Sequence, residues 1–93
     1  MKKLLNEDEI FQRFKTVIVN LLQMNREKNQ QLTMKINLET DIYKDLGIDS
    51  LEAMDLAAAV EKEFMIPINA EEMVRKMKVK DFVSEIAGLQ GRE

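Results

Sequence analysis

The chain has 93 residues, a net charge of −3, and no cysteine, histidine or tryptophan. A chain of this length closes over one modest core, and its 45% of hydrophobic residues can fill it, mainly with Leu, Ile, Val, Met and Ala. The missing thiols and imidazoles exclude disulfides, thiolate zinc sites, cysteine nucleophiles and a Ser/His hydrolytic pair.

One domain spanning residues 1–93 is expected. The net charge has the wrong sign for nucleic-acid phosphates, and no apolar run is long enough for a membrane span. The start, Met1-Lys2-Lys3-Leu4-Leu5-Asn6, lacks the apolar stretch of a signal peptide. A reducing, cytoplasmic compartment is the expectation.

The first element is a predicted helix over residues 7–24. Ile10, Phe14, Val17, Ile18 and Leu21 recur at helical spacing, with Phe11 and Leu22 widening the stripe. Asn6 and Glu9 have capping-box spacing, and Asn25 with the polar run from Arg26 to Gln31 ends the pattern. Residues 25–48 form a long loop without sustained periodicity, a length that compact domains keep for functional or pinned segments. Ile36, Leu38, Ile42, Leu46 and Ile48 are spaced to pin it. A short helical turn is expected over residues 40–46, closed by Gly47 in a left-handed conformation.

A second helix is predicted from Ser50 to about Met65, capped by Asp49 with Glu52 completing the box. Pro67 prevents its continuation. A short third helix follows, with Asn69 and Glu72 at its start and Met73, Val74 and Met77 on its apolar side. The last helix covers residues 79–87, where Val79, Phe82, Val83 and Ile86 share a face. Gly88 is its expected stop and residues 89–93 an expected frayed tail. The predicted fold is all-α: a small four-helix bundle of three longer helices and one short one, with a long loop between helices 1 and 2.

The second helix has an unusually wide apolar surface. Asp55, Lys62, Ala59, Glu52 and Glu63 fall on a narrow face, while Leu51, Met54, Leu56, Ala57, Val60, Phe64 and Met65 occupy most of the rest. Packing accounts for this if the helix is central; otherwise part of the surface meets a partner or ligand. Ala57, Ala58 and Ala59 either let a neighbouring helix approach or leave room for an apolar guest. Between residues 41 and 63 seven acidic residues stand against Lys44 and Lys62. This is either a solvated face or one that attracts basic partners.

The densest signal is Asp45-Leu46-Gly47-Ile48-Asp49-Ser50-Leu51, in which a glycine turn delivers a serine to the first turn of a helix. A hydroxyl there is expected to face solvent, next to a helix N-terminus that favours an anion. An isolated Asp-Ser would be only a helix start. Extended to Glu52, however, this segment resembles the D-L-G-x-D-S-L attachment motif of acyl carrier proteins. The resemblance runs over about residues 36–87, through Asp55, Glu61, Glu63, Phe64, Ile66, Pro67, Glu71, Glu72 and the last helix.

The resemblance implies a non-enzymatic carrier with no metal. Ser50 would bear 4′-phosphopantetheine, donated from coenzyme A by a phosphopantetheinyl transferase, and the cofactor would bring the thiol that the chain lacks. Asp49 and Leu51 would flank the attachment. Glu52, Met54, Asp55 and Glu61 would meet acyl-loading and acyl-processing enzymes through their basic docking surfaces, with the carrier itself a monomer. Fatty-acid, polyketide or related acyl-transfer biosynthesis is the implied setting. Lys62, Ala58 and Lys78 depart from the family pattern; Lys78 replaces a common Ser or Thr cap, implying a less firmly fixed last helix. Arg75, Lys76, Lys78 and Lys80 make the third-helix region basic, and the stretch from Asn25 to Lys35 is unusually polar, which together hint at a specialised carrier.

Two other readings compete. Asp41, Asp45, Asp49 and Glu52 fall in a calcium-loop register, but Tyr43 occupies a ligand position and Leu46 stands where glycine is required. The alternative function is a helical interaction module that docks through its acidic helix without a prosthetic arm.

Overall fold

In a computed structural model the protein is described over residues 4–25 and 36–90. The polar run from Arg26 to Lys35 and the residues Gly91 to Glu93 lie outside the described residues, as do Met1 to Lys3. Four helices are found among the described residues: α1 (Glu7–Asn25), α2 (Ser50–Phe64), α3 (Ala70–Met73) and α4 (Val79–Gln90). The helical fold class agrees with the periodicity.

The start of α1 is the expected capping box. The Asn6 side chain accepts the Glu9 N–H at 2.8 Å, and the Glu9 carboxylate accepts the Asn6 N–H at 3.1 Å. Two of the orphan donors of the first turn are thereby satisfied. The apolar stripe of α1 packs against α2 and α4. Ile10, Phe14 and Ile18 are fully buried with Leu56 and Val60 of α2 and Val79 and Ile86 of α4. Phe14 and Phe82 stack with ring centroids 5.1 Å apart, the one aromatic pair in an otherwise aliphatic interior among the described residues.

The loop before α2 is pinned largely as its spacing implies. Ile36, Ile42, Leu46 and Ile48 are buried. Leu38 is not: it is 44% exposed, and its backbone holds the loop instead by accepting the Lys80 N–H at 2.9 Å. Buried Thr40 accepts the Asn37 N–H on its hydroxyl at 2.8 Å and the Val79 N–H on its carbonyl at 2.9 Å. These two loop carbonyls satisfy the first amides of α4, so a start without a Ser or Thr cap is still fixed. An isolated antiparallel bridge between Asp41 and Lys78 lies in the same seam.

Three further expectations need correction. Met77 does not serve the apolar side of α3: the helix ends at Met73, and Met77 lies beyond it, 56% exposed. Gly88 does not stop α4, which runs on to Gln90. Leu89 and Gln90 are therefore helical rather than frayed, and the Gln90 side chain is tied to the Leu5 backbone by accepting its N–H at 3.1 Å and donating to its carbonyl. That second contact, 85 residues back along the chain, extends the helix past a residue whose local preference is to end it.

Candidate functional site

The site begins with the turn that leads into α2. The Asp41 carboxylate accepts the N–H groups of Tyr43 and Lys44, both at 2.9 Å, and the Asp45 carboxylate accepts the Asp41 N–H at 2.9 Å. The carboxylates that suggested a calcium register thus serve the backbone of their own turn. Among the described residues no group of three or more Asp and Glu side chains is placed to hold a metal ion. Gly47 closes the turn at φ 70°, in the left-handed region where a Cβ is penalised, and donates its N–H to the Tyr43 carbonyl at 3.1 Å.

Two residues later Asp49 adopts an extended conformation and caps α2. Its side chain accepts the Glu52 N–H at 2.8 Å, and the Glu52 side chain accepts the Asp49 N–H at 3.3 Å. The capping box fixes where the helix begins, and therefore where Ser50 stands. Ser50 is the first residue of α2 and is exposed. Ile48 on one side of it and Ala53 on the other are buried, anchoring the turn and the first helical turn to the core.

Along α2 the buried residues are Ala53, Leu56, Ala57 and Val60. At about 100° per residue they share one arc, and the opposite arc of roughly 140° carries Ser50, Leu51, Met54, Asp55, Ala58, Glu61 and Lys62. Every one of these outward residues is exposed, Leu51 78% and Met54 45%. The wide apolar surface therefore has two destinations: Leu56, Ala57 and Val60 fill the core, while Leu51 and Met54 stand in solvent beside Ser50. Asp55 and Glu61 share their face. Glu52 lies at its edge, half-buried and engaged in the cap.

Two features of the neighbourhood could not be read from the sequence. Met65 ends α2 in the left-handed conformation at φ 57°, 80% exposed, and donates its N–H to the Glu61 carbonyl at 2.9 Å. Tyr43 reaches across to donate its hydroxyl to the Val74 carbonyl at the end of α3. A half-buried phenol generally finds an acceptor, but nothing in the sequence says that it lies 31 residues away.

The positive charge after α3 is largely compensated. Lys76 pairs with Glu85 at 3.6 Å, and Glu39 bridges Lys78 at 3.3 Å and Lys80 at 3.1 Å. The hydrogen bonds from Lys80 and then Lys78 hold the Glu39 carboxyl below its ordinary range. A basic third-helix region thus reads differently in the fold, where most of its lysines are matched by acids from elsewhere.

The described residues thus form a helical bundle that fixes an exposed serine at the head of one helix, beside outward apolar and acidic side chains. Residues 12–86 match the family described as phosphopantetheine attachment site. The acyl carrier protein of Coprothermobacter proteolyticus is 30% identical over 82 residues, covering 88% of this chain and 92% of the relative. That of Petrotoga mobilis is 31% identical over 80 residues, 86% of each chain. That of Trieres chinensis is 39% identical over 62 residues, 67% of this chain and 69% of the relative. The chain belongs to the acyl carrier protein family, whose prosthetic group is 4′-phosphopantetheine.

The residues present fit that group. Attachment through a phosphodiester needs an accessible hydroxyl, and exposed Ser50 offers one at the positive end of the α2 dipole. The neighbouring Asp49 carboxylate is turned back to its own helix, and Leu51 and Met54 offer apolar surface alongside.

Proposed function

We propose that this chain carries acyl groups as thioesters on a 4′-phosphopantetheine arm joined to the Ser50 hydroxyl, for fatty-acid, polyketide or related acyl-transfer biosynthesis. The observation that carries this reading is the placement of Ser50: an exposed hydroxyl at the first position of α2, held by the Asp49–Glu52 capping box within the D-L-G-x-D-S-L turn. The arm supplies the thiol on which acyl groups are held, chemistry that a chain without cysteine cannot provide itself.

The chain's own residues bind and present. Asp49 fixes the helix start, and Leu51 flanks the attachment point. Met54, Asp55 and Glu61, with Glu52 at the edge, form the face on which the phosphopantetheinyl transferase and acyl-processing enzymes dock through basic surfaces. The acids steer encounter, and the exposed Leu51 and Met54 supply apolar contact once the partner is seated. The protein acts as a monomeric, cytoplasmic substrate of other enzymes and catalyses no reaction of its own.

Thioester carriage is tested by loading the unmodified chain from an acyl-coenzyme A with a broad-specificity transferase and treating the product with neutral hydroxylamine. The expected result is loss of the acyl mass with the arm retained. An acyl mass that resists hydroxylamine would overturn the thioester reading.

A further inference from the structure

α3 has only four residues, too few for a helix to stand by its own ladder. What holds it is specific. Asn69 caps its start, accepting the Glu72 N–H at 3.1 Å. Met73 is buried against the core, and the helix packs on α2. At its end, Val74 donates its N–H to the Ala70 carbonyl at 3.0 Å while its own carbonyl accepts the Tyr43 hydroxyl.

The backbone of that same tyrosine is built into the turn that presents Ser50. The Tyr43 N–H is donated to Asp41, and its carbonyl accepts the N–H of Gly47, the left-handed residue three positions before Ser50. Next to it, Ile42 donates its N–H to the Met77 carbonyl at 2.8 Å and accepts the Ile48 N–H at 3.1 Å. One short segment is thus bonded forward into the serine-bearing turn and sideways into the chain leaving α3.

We infer that Tyr43 is a positioning residue that couples α3 to the attachment turn, latching the end of the helix to the backbone that sets Ser50. Lifting α3 from α2 then requires either breaking the bond from the Tyr43 hydroxyl to Val74 or pulling on the Gly47 turn. Burial and then the charge of Asp41 raise the Tyr43 pKa above its ordinary value of about 10, which by itself already keeps the donor protonated at physiological pH. On the reading of Ser50 as the arm site, displacement of α3 is felt where partner enzymes meet the arm.

The test compares wild type with Tyr43→Phe, which keeps the ring and removes only the donor, by amide hydrogen exchange on the unmodified chain. It therefore does not depend on whether Ser50 takes an arm. Loss of one hydrogen bond of typical net strength corresponds to roughly fivefold to tenfold more frequent local opening. The expected result is acceleration of that size at Met73 and Val74 and also at Gly47, with core amides of Ile18 and Val83 unchanged. Unchanged α3 amides would remove the latch. Faster α3 exchange with Gly47 unmoved would overturn the coupling. Uniform acceleration, core included, would reduce Tyr43 to a general stabiliser.

Discussion

Tyr43 is the chain's single tyrosine, and there is no tryptophan, so near-ultraviolet absorbance follows its ionisation without interference. Burial first, and then the nearby Asp41 carboxylate, raise its pKa above the ordinary value of about 10. Below that value the phenol is protonated in both folded and unfolded chains and contributes no pH dependence. As pH rises past it the unfolded chain releases the proton first, so stability is lost through the window up to the raised folded pKa. A native titration midpoint above the midpoint in urea is expected, and coincident midpoints would contradict this environment for the ring. The same hydroxyl shows where sequence reasoning stops. The Asp49–Ser50–Glu52 cap is legible because its donors and acceptors lie within three residues. The Tyr43–Val74 bond depends on how distant segments pack.

The helices follow the same division between local and distant causes. Capping boxes placed the starts of α1 and α2, and the buried stripes of α1 and α4 matched their 3.6-residue period. Leu38 and Met77 were misread because an apolar side chain in an irregular segment has no period to fix its direction; both turned out exposed while their backbones carry the contacts. Gly88 was misread because the bond between Gln90 and Leu5, at the two ends of the described chain, overrides glycine's preference to end a helix. An interior helical glycine leaves stability unclaimed, since glycine is about 1 kcal/mol less favourable than alanine there. A Cβ at Gly88 would meet no atom within 4 Å. Gly88→Ala is therefore expected to stabilise the protein by about 0.5–1 kcal/mol in urea unfolding; a destabilised variant would mean that α4 ends earlier than Gln90. On α2, the sequence could list apolar residues but not divide them between core and solvent. That division, which sets Leu51 and Met54 beside Ser50, needed the positions of α1 and α3.

Over the whole molecule, the core and the candidate docking face are separate sides of one helix. α2 packs on α1 and buries Leu56 and Val60 in the common core, and α1 meets α4 through the Phe14–Phe82 stack. Truncating a buried phenylalanine typically costs about 3–5 kcal/mol, a large share of the roughly 5–15 kcal/mol that holds a small domain together. Phe82→Ala is expected to lower unfolding free energy by that amount in urea titration, while a loss under about 1 kcal/mol would contradict the stack's place at the centre of the core. The outward side of α2 is under no such packing constraint. Its acids and apolar residues are exposed, and Ser50 stands at its head, fixed by a cap rather than by burial. We propose that this serine receives the arm. This is tested most directly by intact mass after incubating the unmodified chain with coenzyme A and a broad-specificity phosphopantetheinyl transferase, beside a Ser50→Ala control. One added phosphopantetheine is expected on wild type and none on the control. No addition to folded wild type with more than one transferase, or addition that survives in Ser50→Ala, would contradict it.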